Sequence, residues 1–373
     1  MRFGYFDDEA REYVITTPHT PRPWINYLGT ESFFSLVSGS QGGYSFYRDA
    51  KLRRLTRYRY NGVPADDNGR YLFIHDGTDV WSPSYAPCRV ELDEYECRHG
   101  LGYTTVTGAR NGVRVVRTTC VPRGADAEIS RVVVTNLSTA TKTLQLFTFV
   151  EFCLWDALDD QMNYQRNLSL AEVEIEGSAI YHKTEYRERR NHYAVFWVNK
   201  PIAGFDTDRD TFIGPERPLS AAVVPATGRA ANSVVSGWYP IGSHQVDLTL
   251  APGESTSFIV GLGYVENPTD KWEQGGPRGQ GKWLPLWQGE TPRVNKVPAH
   301  ALMARFATDD QFDVALAELR SYFSDRLAHC TVRSADPRFD RTVNVWNPYQ
   351  CLVTFNLSRS ASYFETGIGR GMG

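Results

Sequence analysis

From the start of the chain to about Leu262, apolar and polar residues follow a period of two. The stretches ISRVVVTN (129–136), KTLQLFTFVEF (142–152), HQVDLTL (244–250) and TSFIVGLG (256–263) alternate or run apolar. Turn residues bound them, as in Asn136 to Thr141 and Ala251 to Glu254, so each reads as a strand. GGYSFY (42–47), YLFI (71–74), VRVVRT (113–118) and HYAVFWV (192–198) extend the series. No helical period of useful length interrupts it. An immunoglobulin-like sandwich needs about 100 residues, so roughly 260 residues of strand pattern predict a much larger antiparallel sandwich.

The segment Pro268 to His300 is rich in Gly and Pro, carries three tryptophans and shows neither period. It reads as an arm packed on a neighbouring surface, since a free tether carries no such apolar load. A helix follows. Thr308 and Gln311 form a capping-box pair, and Phe312, Leu316, Leu319, Phe323 and Leu327 then fall on one helical face. Asp336 with Pro337 opens a second helix, whose stripe is Phe339, Val343, Trp346, Val353 and Leu357. Pro348 lies inside it and predicts a kink or a split. The expected organisation is a sandwich over 1–267, an arm and linker helix over 268–335, and the start of a helical domain over 336–373. Leaving that last stripe in water forfeits about 1.5–3 kcal/mol per side chain, so the helix is expected to self-associate or to dock on the sandwich.

Composition changes this picture little. The net charge of −3, from 43 acidic and 40 basic residues, argues against a chain-wide nucleic-acid or membrane role. Aromatics at 13% suit stacking on sugars, but large β cores are equally aromatic. The N-terminus is charged within a few residues, and no apolar run approaches the ~18 residues of a membrane span. Six cysteines are scattered without a CxxC pair. That predicts buried free thiols in a cytoplasmic protein, with neither a metal site nor a disulfide framework.

Candidate chemistry is concentrated in three places. The stretch SRSASYFETGIGRGMG (358–373) carries Arg359 and Arg370, eleven apart, and alternates Gly367, Gly369, Gly371 and Gly373 with other residues at its end. It reads either as a flexible or bulged segment or as one wall of an anion site. Glu365 and Asp340 are acids with no evident partner. KLRRLTRYRY (51–60) interleaves bases and tyrosines. A single-strand nucleic-acid surface would look like this, and so would a solvated or salt-bridged strand, which the acidic total charge favours. LDDQMNYQRNLS (158–169) gathers Asp159, Asp160, Gln161, Asn163, Gln165 and Arg166 between two strand-like runs. That is either solvent exposure or the amide, carboxylate and arginine set that bonds sugar hydroxyls.

The opening REYVITTPHTPRPWINYLGTESFFSLVSGSQGGYSFYRDAKLRRLTRYRYN, the loop NYQRNLS and the close YQCLVTFNLSRSASYFETGIGRGMG resemble the inverting glycoside phosphorylases of glycoside hydrolase family 94. The likeness is to the cellobiose phosphorylase branch and runs the length of the chain. It implies a mainly β fold: a large antiparallel supersandwich, then a linker helix and the first helix of an (α/α)6 barrel. Twelve helices of about 11–12 residues need on the order of 200–350 residues, so residues 336–373 read as a truncated barrel. The resemblance implies phosphorolysis of cellobiose to α-D-glucose 1-phosphate and D-glucose with inversion. Relatives acting on chitobiose, cellodextrins or laminaribiose share these parts. By similarity Arg359 and Arg370 hold phosphate and the donor-side glucose, and Arg166 reaches the acceptor side. No catalytic acid is expected within the chain, because the family's general-acid Asp follows these segments. A chain without it is expected to be inactive alone, a loss of about 10²–10⁴ in rate. Alone it could still serve as a non-catalytic carbohydrate-binding or dimerisation sandwich. No cofactor is implied, since inorganic phosphate is a substrate. The expected partners are cellobiose, glucose, phosphate and a second copy joined through the sandwich, with no nucleic acid and no membrane.

Overall fold

The period-two stretches all form strands, and each strand ends close to the turn residues that bound it. The computed structural model of the chain describes residues 2–58, 68–157, 160, 170–186, 188–189, 192–266, 269–273, 282–285 and 294–359. Two large antiparallel sheets face each other. The twelve-stranded sheet runs in the order Gly4–Asp7, Glu12–Ile15, Glu94–His99, Tyr103–Arg110, Val113–Cys120, Ala127–Asn136, Ser255–Glu266, His192–Val198, Ala179–Tyr186, Leu170–Glu176 and Ser236–Gly237, with Glu188–Arg189 beside Ala179–Tyr186. The nine-stranded sheet runs Gly204–Asp208, Pro240–Leu250, Lys142–Trp155, Arg54–Thr56, Ser45–Tyr47, Phe33–Ser38 and Ile25–Leu28; Arg70–His75 also pairs with Lys142–Trp155 and carries Val80–Trp81. The outermost strands are short in both sheets. The fold is thus mainly β, as the alternation predicts.

Between the sheets lie Val113, Val115, Val132 and Val134 from one side and Leu144, Leu146, Val150, Phe152 and Val246 from the other. Because side chains alternate, the strand that sends Val132 and Val134 inward also sends Glu128 inward. Glu128 is buried and meets Arg70 of the facing sheet, Oε1 to Nε 2.6 Å. Ser35 and Ser45 donate to the same carboxylate, Ser45 at 3.0 Å. Arg70 donates further to the Leu36 carbonyl at 3.0 Å and to both serine hydroxyls. A second guanidinium, Arg117, lies alongside and donates to the Arg70 carbonyl at 2.8 Å. Burial pushes Arg117 down to about 10, with Arg70 adding to that and Glu128 opposing it. One carboxylate therefore serves two interior cations.

The outer face of the twelve-stranded sheet is also apolar, with Ile129, Tyr181, Tyr193, Val195, Trp197 and Ile259. Helices cover it. Two short ones, α1 (Arg209–Ile213) and α2 (Val223–Thr227), sit elsewhere, in a stretch expected to hold strands alone; five residues are too few to leave a helical period. The arm contains a short hairpin, Thr269–Glu273 paired with Lys282–Pro285, where no regular element was expected. The packing of its tryptophans concerns side chains outside the described residues. Then come α3 (Val297–Ala304) and α4 (Asp309–Leu327). The Thr308 side chain accepts from Gln311 N–H and Gln311 reaches back, completing the capping box. Phe312, Leu316, Leu319, Phe323 and Leu327 are all buried.

The last helical run departs from the expected stripe at Phe339. α5 (Pro337–Arg341) is capped by Asp336, as the sequence predicts. The kink or split expected at Pro348 takes the form of a π-helical turn, Thr342–Trp346, after which the chain resumes as α6 (Asn347–Arg359). Proline has no N–H and its ring crowds the carbonyl four residues back; a wider turn relieves both. From the end of the turn onward, Trp346 and Val353 of the expected stripe face inward together with Tyr349. Phe339 is left 51% exposed, while Tyr349 and Val353 are buried. The run docks on the sandwich: Arg341 pairs with Asp8 and Trp346 packs on Phe6 at 5.5 Å. All six cysteines are free, four buried, with Cys330 and Cys351 exposed. Among the described residues no helix is long and apolar enough to cross a membrane.

One interior group gives the fold a pH signature. His244 is fully buried, with Nδ1 2.9 Å from Thr148 Oγ1, and burial pushes its pKa down to about 3. An unfolded histidine titrates near 6.5, so below about pH 6.5 the unfolded chain takes the proton first and stability falls with pH until about 3. Between pH 7 and pH 5 the parent should lose about 2 kcal/mol more than His244→Gln does. Urea midpoints at the two pH values measure this; equal losses would mean His244 does not titrate in this way.

Candidate functional site

The sequence nominates Arg166, Arg359 and Arg370. Arg359 is the last residue of α6. Arg166 and Arg370 lie outside the described residues, as do Glu365 and the glycines of the closing stretch. What the structure brings together is the framework that holds the segments carrying them.

A base fixed by charge, centred on Asp160, follows the end of Lys142–Trp155. Asp160 is buried, and its Oδ2 lies 3.0 Å from Arg57 Nε; Arg57 Nη1 reaches Glu151 Oε1 at 2.6 Å. Arg209 Nε is 3.5 Å from the same Glu151 oxygen, and Asn68 Nδ2 approaches the other at 3.5 Å. Burial by itself would lower the Arg57 pKa, but the charges of Glu151 and Asp160 outweigh it and raise it above the ordinary value. Charges away from water persist when they are paired in this way. Backbone bonds add to the anchor: Ala157 N–H donates to the Lys51 carbonyl at 2.7 Å and Asp160 N–H to the Asp156 carbonyl at 2.9 Å.

Beside this base stands an aromatic group. Tyr47 and Tyr264 stack with centroids 4.0 Å apart and planes 10° off parallel. Arg53 bonds the Tyr264 hydroxyl and Glu266, with its guanidinium 5.8 Å from each ring centroid. Burial would raise the Glu266 carboxyl, and the bonds from Tyr264 and Arg53 overcome it and hold the pKa below the usual range. Trp155 meets His192 edge-on at 4.4 Å and Tyr264 at 5.8 Å. Aromatic faces and planar charges are what a sugar site uses, yet Tyr47 and Tyr264 are themselves buried. The stack therefore clamps the end of Ser255–Glu266 and offers no free platform.

The described part of the basic stretch, 51–58, thus turns inward at residues 54–57. Only Arg54–Thr56 is a strand, and Arg54, Leu55, Thr56 and Arg57 are all buried. Arg54 lies 3.8 Å over the Tyr44 ring. A salt-bridged reading holds for both Arg53, which is part-exposed, and Arg57, which is buried. Glu151 carried a signal the sequence reading passed over: a carboxylate inside a long apolar strand demands a buried cation. Among described carboxyls with a shifted pKa, Asp206 is the one raised, chiefly by burial. Its oxygens accept from Ala231 and Ser233 N–H and the Ser233 hydroxyl, which makes it a loop anchor. No group of three or more His, Cys, Asp or Glu is gathered for a metal among the described residues.

Comparison with known proteins adds to this framework. Residues 11–274 match the glycosyl hydrolase 94 supersandwich domain, and residues 322–373 match the glycosyl hydrolase 94 superfamily catalytic domain. The chain is 32% identical over 382 residues to an N,N'-diacetylchitobiose phosphorylase of Vibrio furnissii, and 32% over 389 residues to that of Vibrio proteolyticus. Each alignment covers 100% of this chain and 43% of the relative, so the chain spans less than half the length of these proteins. It is also 29% identical over 270 residues to a 3-O-beta-D-glucopyranosyl-beta-D-glucuronide phosphorylase of Paenibacillus borealis, covering 69% of this chain and 33% of that one.

Proposed function

Because this chain belongs to glycoside hydrolase family 94, we propose that it works as the N-terminal part of an inverting phosphorylase acting on a β-linked disaccharide. The observation that carries the reading is the paired match, to the supersandwich over 11–274 and to the catalytic domain over 322–373. In this reaction a phosphate oxygen attacks the anomeric carbon from the face opposite the leaving sugar. The glycosidic C–O bond breaks, an acid protonates the departing oxygen, and an α-sugar 1-phosphate forms with inversion. Phosphate is already anionic, so the base that activates water in an inverting hydrolase has no role. The protein must instead hold phosphate with cations, and arginine does so through paired, charge-assisted hydrogen bonds.

On this reading Arg359 and Arg370 bind phosphate and the donor sugar, and Arg166 reaches the acceptor from the segment anchored by Asp160. The acid belongs to the part of the catalytic domain outside these residues. Inorganic phosphate is a substrate and no cofactor enters. The Vibrio relatives, 32% identical over the whole chain, favour N,N'-diacetylchitobiose as the disaccharide. Cellobiose, suggested by the closing residues, is the second reading. The two differ in whether the site accepts a hydroxyl or an acetamido group at C2. A second copy joined through the sandwich is part of the same proposal.

The test is release of sugar 1-phosphate by the protein at the length of its phosphorylase relatives, screened against both disaccharides, cellodextrins and laminaribiose. Arg359→Ala should raise KM for phosphate by about 10- to 150-fold, the equivalent of about 1.5–3 kcal/mol for a lost charged hydrogen bond. Hydrolysis without phosphate consumption, or an unchanged phosphate KM in the variant, contradicts the assignment.

A further inference from the structure

We propose that Tyr349 is a positioning residue: its buried hydroxyl ties the first helix of the catalytic domain to the sandwich and so sets where Arg359 meets phosphate. The inference rests on the phosphorolytic reading of Arg359 given above.

The hydroxyl is a three-way junction. It donates to Asn26 Oδ1 at 2.9 Å, with the Tyr27 carbonyl also in reach at 3.1 Å, and it accepts from Gly102 N–H at 2.9 Å. Asn26 is committed on its other side: Nδ2 donates to the Gly100 and Tyr103 carbonyls at 2.8 and 2.9 Å. The tip of the turn between Glu94–His99 and Tyr103–Arg110 is thereby pinned from two directions. The ring itself meets Phe323 of α4 edge-on at 5.3 Å. Burial pushes the phenol upward in pKa, so it remains a protonated donor. Sandwich, linker helix and α6 all converge on one side chain.

The consequence for phosphate follows from helix geometry. At 1.5 Å per residue, Arg359 begins about 15 Å along the axis from Tyr349, and a tilt of about 4° at the junction moves its Cα by about 1 Å. A displacement of about 1 Å at a reacting group can cost about 10²-fold in rate. Val353 is buried one turn further along α6 and adds packing without any polar register.

The kinetic test uses the protein at the length of its relatives. Tyr349→Phe keeps the ring and removes the junction; Val353→Ala removes packing and keeps it. Tyr349→Phe should raise KM for phosphate at least tenfold, while Val353→Ala stays within twofold, at a temperature where both are folded. A phosphate KM within twofold of the parent in Tyr349→Phe overturns the proposal. So does a rise in both variants that tracks their loss of thermal stability, because that is what packing alone predicts. A second measurement needs no activity: amide exchange over residues 350–359 of the 373-residue chain. It should be at least tenfold faster in Tyr349→Phe, and unchanged exchange removes the junction. Were the parent to show no phosphorolysis, the functional reading would fail while exchange still decided whether Tyr349 fixes the helix.

Discussion

Replacing Glu128 by glutamine is expected to cost about 3–5 kcal/mol, the toll of breaking a buried ion pair by removing one partner. The carboxylate faces Arg70 at 2.6 Å and lies beside Arg117. The amide keeps the shape and removes the charge, leaving two guanidiniums between the sheets with no anion. Ser35 and Ser45, which donate to the carboxylate, would face an amide nitrogen or rotate. The measurement is a urea or thermal unfolding curve, and a loss below about 1 kcal/mol would mean the network is spread over more partners. If Glu128→Gln fails to fold, Glu128→Gln with Arg70→Met removes both members of the buried pair and should recover a folded protein. Arg117→Met alone is expected to be near neutral, because it removes a cation that burial already disfavours.

The second large effect is local. Gly102 sits at φ +82°, and a Cβ placed there would come 2.5 Å from Phe323 Cε2 and 3.1 Å from Leu319 Cδ2. The left-handed backbone costs a residue with a Cβ about 1–2 kcal/mol, and forcing the Phe323 ring aside adds about 1–3 kcal/mol. Gly102→Ala should therefore loosen α4 and α6 by about 2–5 kcal/mol. The inter-sheet core lies on the other face of the twelve-stranded sheet and should be spared. Limited proteolysis should cut the variant within 305–359 at denaturant concentrations where the β-sheet circular dichroism is unchanged. Loss of both signals together would show that helices and sandwich unfold as one unit.

Local signals made the sandwich and the linker helix legible. The capping pair Thr308 and Gln311 acts within one turn, and the stripe from Phe312 to Leu327 follows an unbroken α period. Strands such as Val113–Cys120 announce themselves by alternation. The final helix was legible in part: Trp346 and Val353 of its stripe do face inward, and Tyr349 lies between them on the same face, while Phe339, ahead of the π-helical turn, stays exposed. The charge partners were hidden. Arg57 with Glu151, and Arg70 with Glu128, meet across strands far apart in sequence, and such pairings follow from topology. Glu128 and Glu151 could have been flagged as inward carboxylates, though their partners could not be named. Of the nominated arginines, Arg359 ends α6 as the helical stripe implies; Arg166 and Arg370 fall outside the described residues.

The short outermost strands bear on how copies of this protein could meet. A long, flat edge offers a ladder of unpaired N–H and C=O groups on which another strand can grow. Here the described edges are four residues at Gly4–Asp7, two at Ser236–Gly237, two at Glu188–Arg189, five at Gly204–Asp208, four at Ile25–Leu28 and two at Val80–Trp81. None gives a neighbour more than a few backbone bonds. Among the described edges, extension of the sheet into a continuous intermolecular fibre would start from short templates only, and side chains on the broad faces and loops offer recognition that a single substitution can tune.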